Sequence, residues 1–250
     1  MISNRPTPCP WVGRFPGVRG RRLGGMEAIR IRLVDRVEAG WRWPVLHWEA
    51  GPGRRAISSA PLGGGLRPLN WWLNCTVSTR YDHPDPREHL NEIAAGLGLT
   101  GPGCAMLTAV DVAGHWRAED GGVQVVATVG LGLPVPAAAD AARIASEQPS
   151  TGPGTINLLA VLPVPLGDAA LVNTVVTATE SKTQALAAAG IEGTGTASDA
   201  VCIVCPIAGA SPSHVPELYA GPRSTWGSRL ARAVFSAVGE GTAHWCHHHR

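Results

Sequence analysis

Between Thr177 and Asp199 the chain reads TATESKTQALAAAGIEGTGTASD, which gathers carboxylates, hydroxyls, one ammonium and three glycines into a short stretch. Glu180, Lys182 and Thr183 stand close together, just upstream of the turn Gly193-Thr-Gly-Thr-Ala-Ser-Asp199. These types suit bond cleavage through a negatively charged intermediate. Glu180 or Asp199 could serve as base, and Lys182 could stabilise the developing charge. The backbone amides of Gly193 to Gly195 could converge as an oxyanion site, with Thr196 or Ser198 as donor or nucleophile. Plainer readings compete. Thr177-Ala-Thr-Glu180 fits a capping box, which would start a helix there, and Ser198 and Asp199 could simply bond their own turn. If a helix instead runs unbroken through this stretch, Thr179, Lys182, Thr183 and Leu186 share a face and Glu180 leans away from Lys182. The turn precedes a strand and lacks the GK[ST] ending of a phosphate-binding loop.

Other residues raise smaller questions. Asn157 and Asn74 sit inside apolar strands, where a buried amide needs partners, and a ligand amide could be one of them. Tyr81-Asp-His-Pro-Asp85 with His89 offers metal-type ligands, yet Asp85, Pro86 and Glu88 already read as a helix cap. Cys202 and Cys205 have CxxC spacing, but residues three apart on a strand point to opposite faces, which favours core packing over a shared metal. The histidines from His244 to His249 lie in a terminal run of the kind that is usually incidental. No Ser-His-Asp arrangement can be assembled, because the motif blocks contain no histidine.

These residues need a scaffold. Ile29 to Val34, Arg55 to Ser59 and Trp71 to Val77 read as strands, followed by a helix capped by Asp85 and running to about Ala95. Cys104 to Val112 and Val123 to Val129 read as strands joined by a polar turn from Arg117 to Gly122. Gly154 to Leu162 is a further strand, Asp168 to Ala189 is helix-rich, Val201 to Ile207 is a strand and Ser228 to Val238 a closing helix. The interleaved order predicts one mixed α/β domain over residues 26–240. Residues 1–25 are expected to form a poorly ordered basic, Pro/Gly-rich arm, and residues 241–250 a flexible His-rich tail. A weak echo between residues 93–110 and 186–204 would divide the domain into two pseudo-repeated halves with a cleft between them.

Composition narrows the partners. With a net charge of +2 and only 16% charged residues, the chain has no basic field of the kind nucleic acid requires. Its uncharged stretches are broken by Pro and Gly, so no membrane span is expected. The basic amino-terminal stretch lacks the apolar segment of a signal peptide, and a cytoplasmic location follows. Six scattered cysteines are expected to be reduced thiols. The sequence leaves a homo-oligomer open and calls for no cofactor.

Taken together the blocks resemble the adenosylcobinamide amidohydrolase family. They are Ile57-Ser-Ser-Ala60 with Gly63 to Gly65, Asn70 to Val77 with Tyr81 and Asp85-Pro86, Met106-Leu-Thr-Ala109, and Gly154-Thr-Ile-Asn157. Thr179-Glu-Ser-Lys-Thr183, Gly195-Thr-Ala-Ser-Asp-Ala200 and Tyr219-Ala-Gly-Pro222 with Gly227 complete the series. The resemblance implies hydrolysis of the amide joining aminopropanol to a corrin propionate, with a small-molecule corrinoid, adenosylcobinamide, as substrate and no metal. It implies Glu180, Lys182 and Asp199 as catalytic residues. Ser58, Ser59, Gly64, Asn74, Thr108, Asn157, Thr179, Thr183, Gly195, Thr196 and Ser198 would bind substrate, and Trp71 or Trp72 could offer apolar surface to the corrin. One departure stands out: where the resemblance would put an Asn-containing turn, this chain has Thr128-Val-Gly-Leu-Gly-Leu-Pro134. Two alternatives are a corrinoid-binding protein without hydrolytic activity and a metal-dependent hydrolase using the cluster from Asp82 to His89.

Overall fold

Two buried strands whose alternate side chains join different core clusters decide the layering. In Trp71–Thr76, Trp71, Leu73 and Cys75 pack with Leu90, Ile93 and Ala94 of a helix, while Trp72 packs the other way with Met106 and Cys202. In Ala200–Pro206, Cys202 and Val204 share that second cluster, whereas Val201, Ile203 and Cys205 pack against Leu171, Ala178 and Val234. Alternate side chains of a strand leave by opposite faces, so each strand belongs to a sheet covered on both sides.

The computed structural model describes residues 28–140, 154–209 and 215–249. Its strands are β1 (Arg32–Glu38), β2 (Trp41–Glu49), β3 (Arg54–Ser58), β4 (Gly65–Pro68), β5 (Trp71–Thr76), β6 (Gly103–Thr108), β7 (Trp116–Asp120), β8 (Val123–Leu131), β9 (Gly154–Val161) and β10 (Ala200–Pro206). The helices are α1 (Pro86–Gly96), α2 (Asp168–Ala188) and α3 (Thr225–His248). One sheet runs β1-β2-β5-β6 and the other β4-β3-β10-β9-β8-β7. The layers are α1, the smaller sheet, the larger sheet, and then α2 with α3, giving one mixed α/β domain. Among the strands of the described residues, only β5 with β6 and β9 with β10 pair in parallel. Each of these pairs is joined through a helix, α1 or α2, as a parallel connection requires. Both limbs of the internal echo are therefore helix-to-strand returns.

Several elements differ from the sequence reading. β1 starts at Arg32 because Ile29 is held by the larger sheet: its N–H donates to Gln124 Oε1 at 2.8 Å and its carbonyl accepts from Arg117 at 2.6 Å. The polar turn expected from Arg117 to Gly122 is mostly strand β7, paired with β8. The reversal is confined to Gly121 and Gly122, both at positive φ. No helix begins at Thr177. Helix α2 passes through it without a break, and the Thr177 hydroxyl donates to Ala220 O at 3.0 Å. Burial between sheet and helix outweighs the local capping pattern. Helix α3 likewise runs on to His248 and buries Trp245, so the histidines expected in a flexible tail lie on its last turns. The arm at residues 1–25 lies outside the described residues. No helix among the described residues is long and apolar enough to cross a membrane.

Cys202 and Cys205 fall in different core clusters, which separates the CxxC sulfurs across the larger sheet. Burial pushes the Cys75 thiol up to about 12. It carries no thiolate at neutral pH.

The buried imidazoles His47 and His89 give a stability prediction. Both are held below their ordinary value of 6.5, chiefly by burial. The unfolded chain therefore binds protons near 6.5 that the folded chain takes up only at lower pH, so acidification through that value favours unfolding. The melting temperature is expected to fall between about pH 7.5 and about pH 5.5, less so in a His47→Gln/His89→Gln variant. A wild-type melting temperature that held level or rose on acidification would contradict this.

Candidate active site

Asp199 stands one residue before β10, and its carboxylate collects donors from three directions. Lys182 Nζ, from α2, forms an ion pair with Oδ2. Ile156 N, at the start of β9, donates to Oδ1 at 2.8 Å. Thr196 donates twice, from N at 3.1 Å to Oδ2 and from its hydroxyl at 2.5 Å to Oδ1. An ionised carboxylate offers about four lone-pair positions, and here all are occupied. The side chains of the pair are only 8% and 12% exposed, in a setting where Coulomb attraction is weakly screened.

The turn that leads to Asp199 is shaped by this pair. A Cβ built on Gly195 would lie 2.3 Å from both Lys182 Nζ and Asp199 Oδ2, so the backbone approaches closely because Gly195 has no side chain. The Thr183 hydroxyl donates to Thr194 O at 3.1 Å and ties the turn to α2. From the other side the segment after β8 closes on it: Val135 N donates to Gly195 O at 2.8 Å and Thr194 N to Val135 O at 3.0 Å. The segment Thr128 to Pro134 therefore ends against this turn. Pro134 sits where a Cβ on Gly193 would meet it at 2.8 Å.

At the rim, the exposed Ser198 hydroxyl lies 2.7 Å from Thr155 Oγ1 and 3.3 Å from Gly154 O. Thr155 was not singled out from the sequence, although it stands two residues before Asn157 and so shares its side of the strand. Ser58 and Ser59 brace the same corner. Ser58 Oγ donates to Val201 O at 2.9 Å and Ser59 Oγ accepts from Val201 N at 3.1 Å, fixing the first residues of β10. Gly64 packs close to Ala60 O, where a Cβ would come within 2.6 Å.

Behind the corner, a polar seam crosses between the sheets. Asn157 Nδ2 donates to Asn74 Oδ1 at 2.9 Å and to Leu107 O at 3.0 Å, and Asn74 Nδ2 donates to Thr128 Oγ1 at 3.0 Å. Leu107 O can only accept, which fixes the orientation of the Asn157 amide. Both Asn157 protons are then used and its buried Oδ1 has no partner. Asn157, expected to bind substrate, therefore offers it an acceptor, suited to an N–H.

Not every expected residue reaches this corner. Glu180 is exposed on α2, two residues from buried Lys182 and therefore on the far side of the helix. It does not join Asp199. Thr179 is also exposed and bonds Val175 O within its own helix. Thr108 is buried, with its hydroxyl accepting from Val110 N in the turn after β6. Trp71 and Trp72 are core residues, 6% and 1% exposed, and offer no surface to a corrin. In the Tyr81 to His89 cluster, Asp85 caps α1 through Arg87 N and Glu88 N, and His89 bonds Tyr81 and Glu38. Among the described residues no three His, Cys, Asp or Glu side chains are placed to hold a metal ion.

A family model described as adenosylcobinamide amidohydrolase matches residues 30–250. Two similar proteins carry that same description. One from Methanosarcina mazei is 28% identical over 187 residues, 73% of this chain and 88% of the relative. One from Halobacterium salinarum is 32% identical over 194 residues, 76% of this chain and 80% of the relative.

Proposed function

Because the chain belongs to the adenosylcobinamide amidohydrolase family, we propose that it hydrolyses the amide between aminopropanol and the corrin propionate of adenosylcobinamide. The products are adenosylcobyric acid and 1-aminopropan-2-ol, a step of corrinoid salvage in the cytoplasm. The observation that carries the site assignment is the buried Lys182–Asp199 pair, set against Gly195 and opening onto the exposed Ser198 hydroxyl.

The geometry supports a division of labour. Lys182 supplies positive charge where the carbonyl oxygen becomes an oxyanion, in surroundings that screen it little. Ser198, steadied by Thr155, orients the attacking water. Asp199 is the carboxylate at the corner, and it can take a proton once one of its donors leaves. The Thr196 hydroxyl can do so by rotating about its own side chain, without moving backbone. Water adds to the carbonyl carbon, one of its protons passes through Asp199 to the departing amine, and the C–N bond breaks; the second proton then passes from the acid to the amine, leaving a carboxylate and an ammonium.

Purified protein incubated with adenosylcobinamide is expected to release aminopropanol and the free acid in equal amounts. Ser198→Ala is expected to lower kcat roughly fivefold, the effect of one lost hydrogen bond of about 1 kcal/mol. A corrinoid spectral change without released aminopropanol would instead identify a binding protein. Activity that disappeared on chelation and returned with metal would favour the metal-dependent alternative.

A further inference from the structure

Away from the Lys182–Asp199 corner, a cavity of about 590 Å³ opens between the tip of the β1–β2 hairpin and the loop from β5 to α1. That size falls within the range of about 300–1,000 Å³ typical of small-molecule clefts. One wall is aromatic and ordered. The rings of Tyr81, His83 and His89 lie nearly parallel, with interplanar angles of 15° to 20° and centroids 5.0 to 6.3 Å apart. Trp41 and Trp43 also line the cavity, and Trp41 is 71% exposed, an unusual position for an indole with no core to fill.

The polar groups are arranged in a defined direction. Glu38 is ion-paired with Arg36, so it accepts, and His89 Nε2 donates to its Oε2 at 3.2 Å. Burial holds the His89 imidazole below its ordinary range, so at neutral pH its Nδ1 is an acceptor. The Tyr81 hydroxyl, 3.0 Å from that Nδ1, must then donate to it. With its proton committed inward, the Tyr81 oxygen presents lone pairs alone to the cavity. The Arg36 side chain, which also lines the cavity, is 10% exposed and its Nε–H has no partner.

We propose that this cavity binds a planar nitrogen heterocycle carrying an exocyclic amine, an adenine-type base, stacked on Trp41 with its amino group donating to the Tyr81 oxygen. The aromatic lining suits a flat ring, and the lone pairs of Tyr81 suit a hydrogen-bond donor on its edge, which the amino group supplies. This site goes beyond the amide hydrolysis proposed above. The base could arrive as a free nucleoside or as the adenosyl group of a corrinoid.

Adenosine is the probe, with binding followed by calorimetry on the full chain. The wild type is expected to bind adenosine about tenfold more tightly than purine riboside, which lacks the amino group. In Tyr81→Phe that preference is expected to fall to about one. The ratio is taken within each variant, so a partial loss of folded protein does not alter it. Trp41→Ala, at an exposed position, is expected to weaken both ligands about tenfold through lost stacking, with an unchanged melting temperature. Absence of saturable adenosine binding at millimolar concentration would overturn the proposal, as would an intact amino preference in Tyr81→Phe. Competition identifies the source. Displacement by adenosylcobinamide but not by cobinamide lacking the adenosyl group indicates the corrinoid, and displacement by neither indicates a free nucleoside. The readout is binding, so it is independent of whether the amide is cleaved.

Discussion

Lys182→Met is expected to lower kcat for adenosylcobinamide about 100- to 1,000-fold, the scale seen when a preorganised stabiliser of an oxyanion is removed. KM should change much less, because the charge is needed most when the carbonyl oxygen becomes negative. The variant also leaves the Asp199 carboxylate buried without its cation, and breaking a buried pair on one side costs about 3–5 kcal/mol. The two effects can be separated. In Lys182→Met/Asp199→Asn both charges are gone, and replacing a buried pair by neutral groups is often close to neutral for stability. The double variant should therefore regain most of the lost melting temperature and remain inactive. Recovery of turnover along with stability would mean that Lys182 and Asp199 only hold the corner together. Steady-state kinetics and thermal unfolding on the same preparations decide between these outcomes.

The second large effect is expected from Gly195→Ala, which adds one methyl group. Its Cβ would fall 2.3 Å from Lys182 Nζ and 2.3 Å from Asp199 Oδ2. Lys182 ends a flexible chain and can retreat, whereas Asp199 is fixed by Ile156 N and by Thr196, so the pair separates. Overpacking of this kind typically costs about 1–3 kcal/mol. Turnover should fall with it, towards the level of Lys182→Met. Gly96→Ala provides the contrast. Gly96 closes α1 with nothing within 4 Å of a built Cβ, so there the same methyl should raise stability by about 0.4–1 kcal/mol. Loss of stability in both variants would show that the effect at Gly195 is not a collision with the ion pair.

Much of this scaffold can be read from local pattern. Asp85 caps α1 as its spacing suggests, accepting from Arg87 N and Glu88 N. Short runs rich in apolar residues mark β5, β9 and β10, and the opposite facing of Cys202 and Cys205 follows from period two. The missing strands had reasons to be missed. Pro44 lies within β2, where proline argues against a strand, and the inner half of β2 is buried on both faces and does not alternate. β4 has four residues, all exposed. The site was legible as a set of residues but not as an arrangement. Whether Glu180 or Asp199 stands beside Lys182 depends on one fact, the continuity of α2 through Thr177, and that is set by packing against the sheet and α3. The role of Asn157 turned on Leu107, fifty residues away along the chain and visible only once the sheets are stacked.

The pairing of β3 with β10 in the larger sheet also governs how the chain is made. β3 sits next to β10, with Ile57 opposite Ile203, although only β4 follows it closely in the chain. During synthesis the outer edge of β3 can be satisfied at once by β4. Its inner edge must wait for β10, which leaves the ribosome roughly 7–30 s later at about 5–20 residues per second. Throughout that interval the nascent chain carries an unpaired strand edge beside Ala56, a residue destined for the core. Slowing translation between β4 and β10 should therefore increase the fraction of newly made protein that depends on chaperones, even though the finished fold is unchanged.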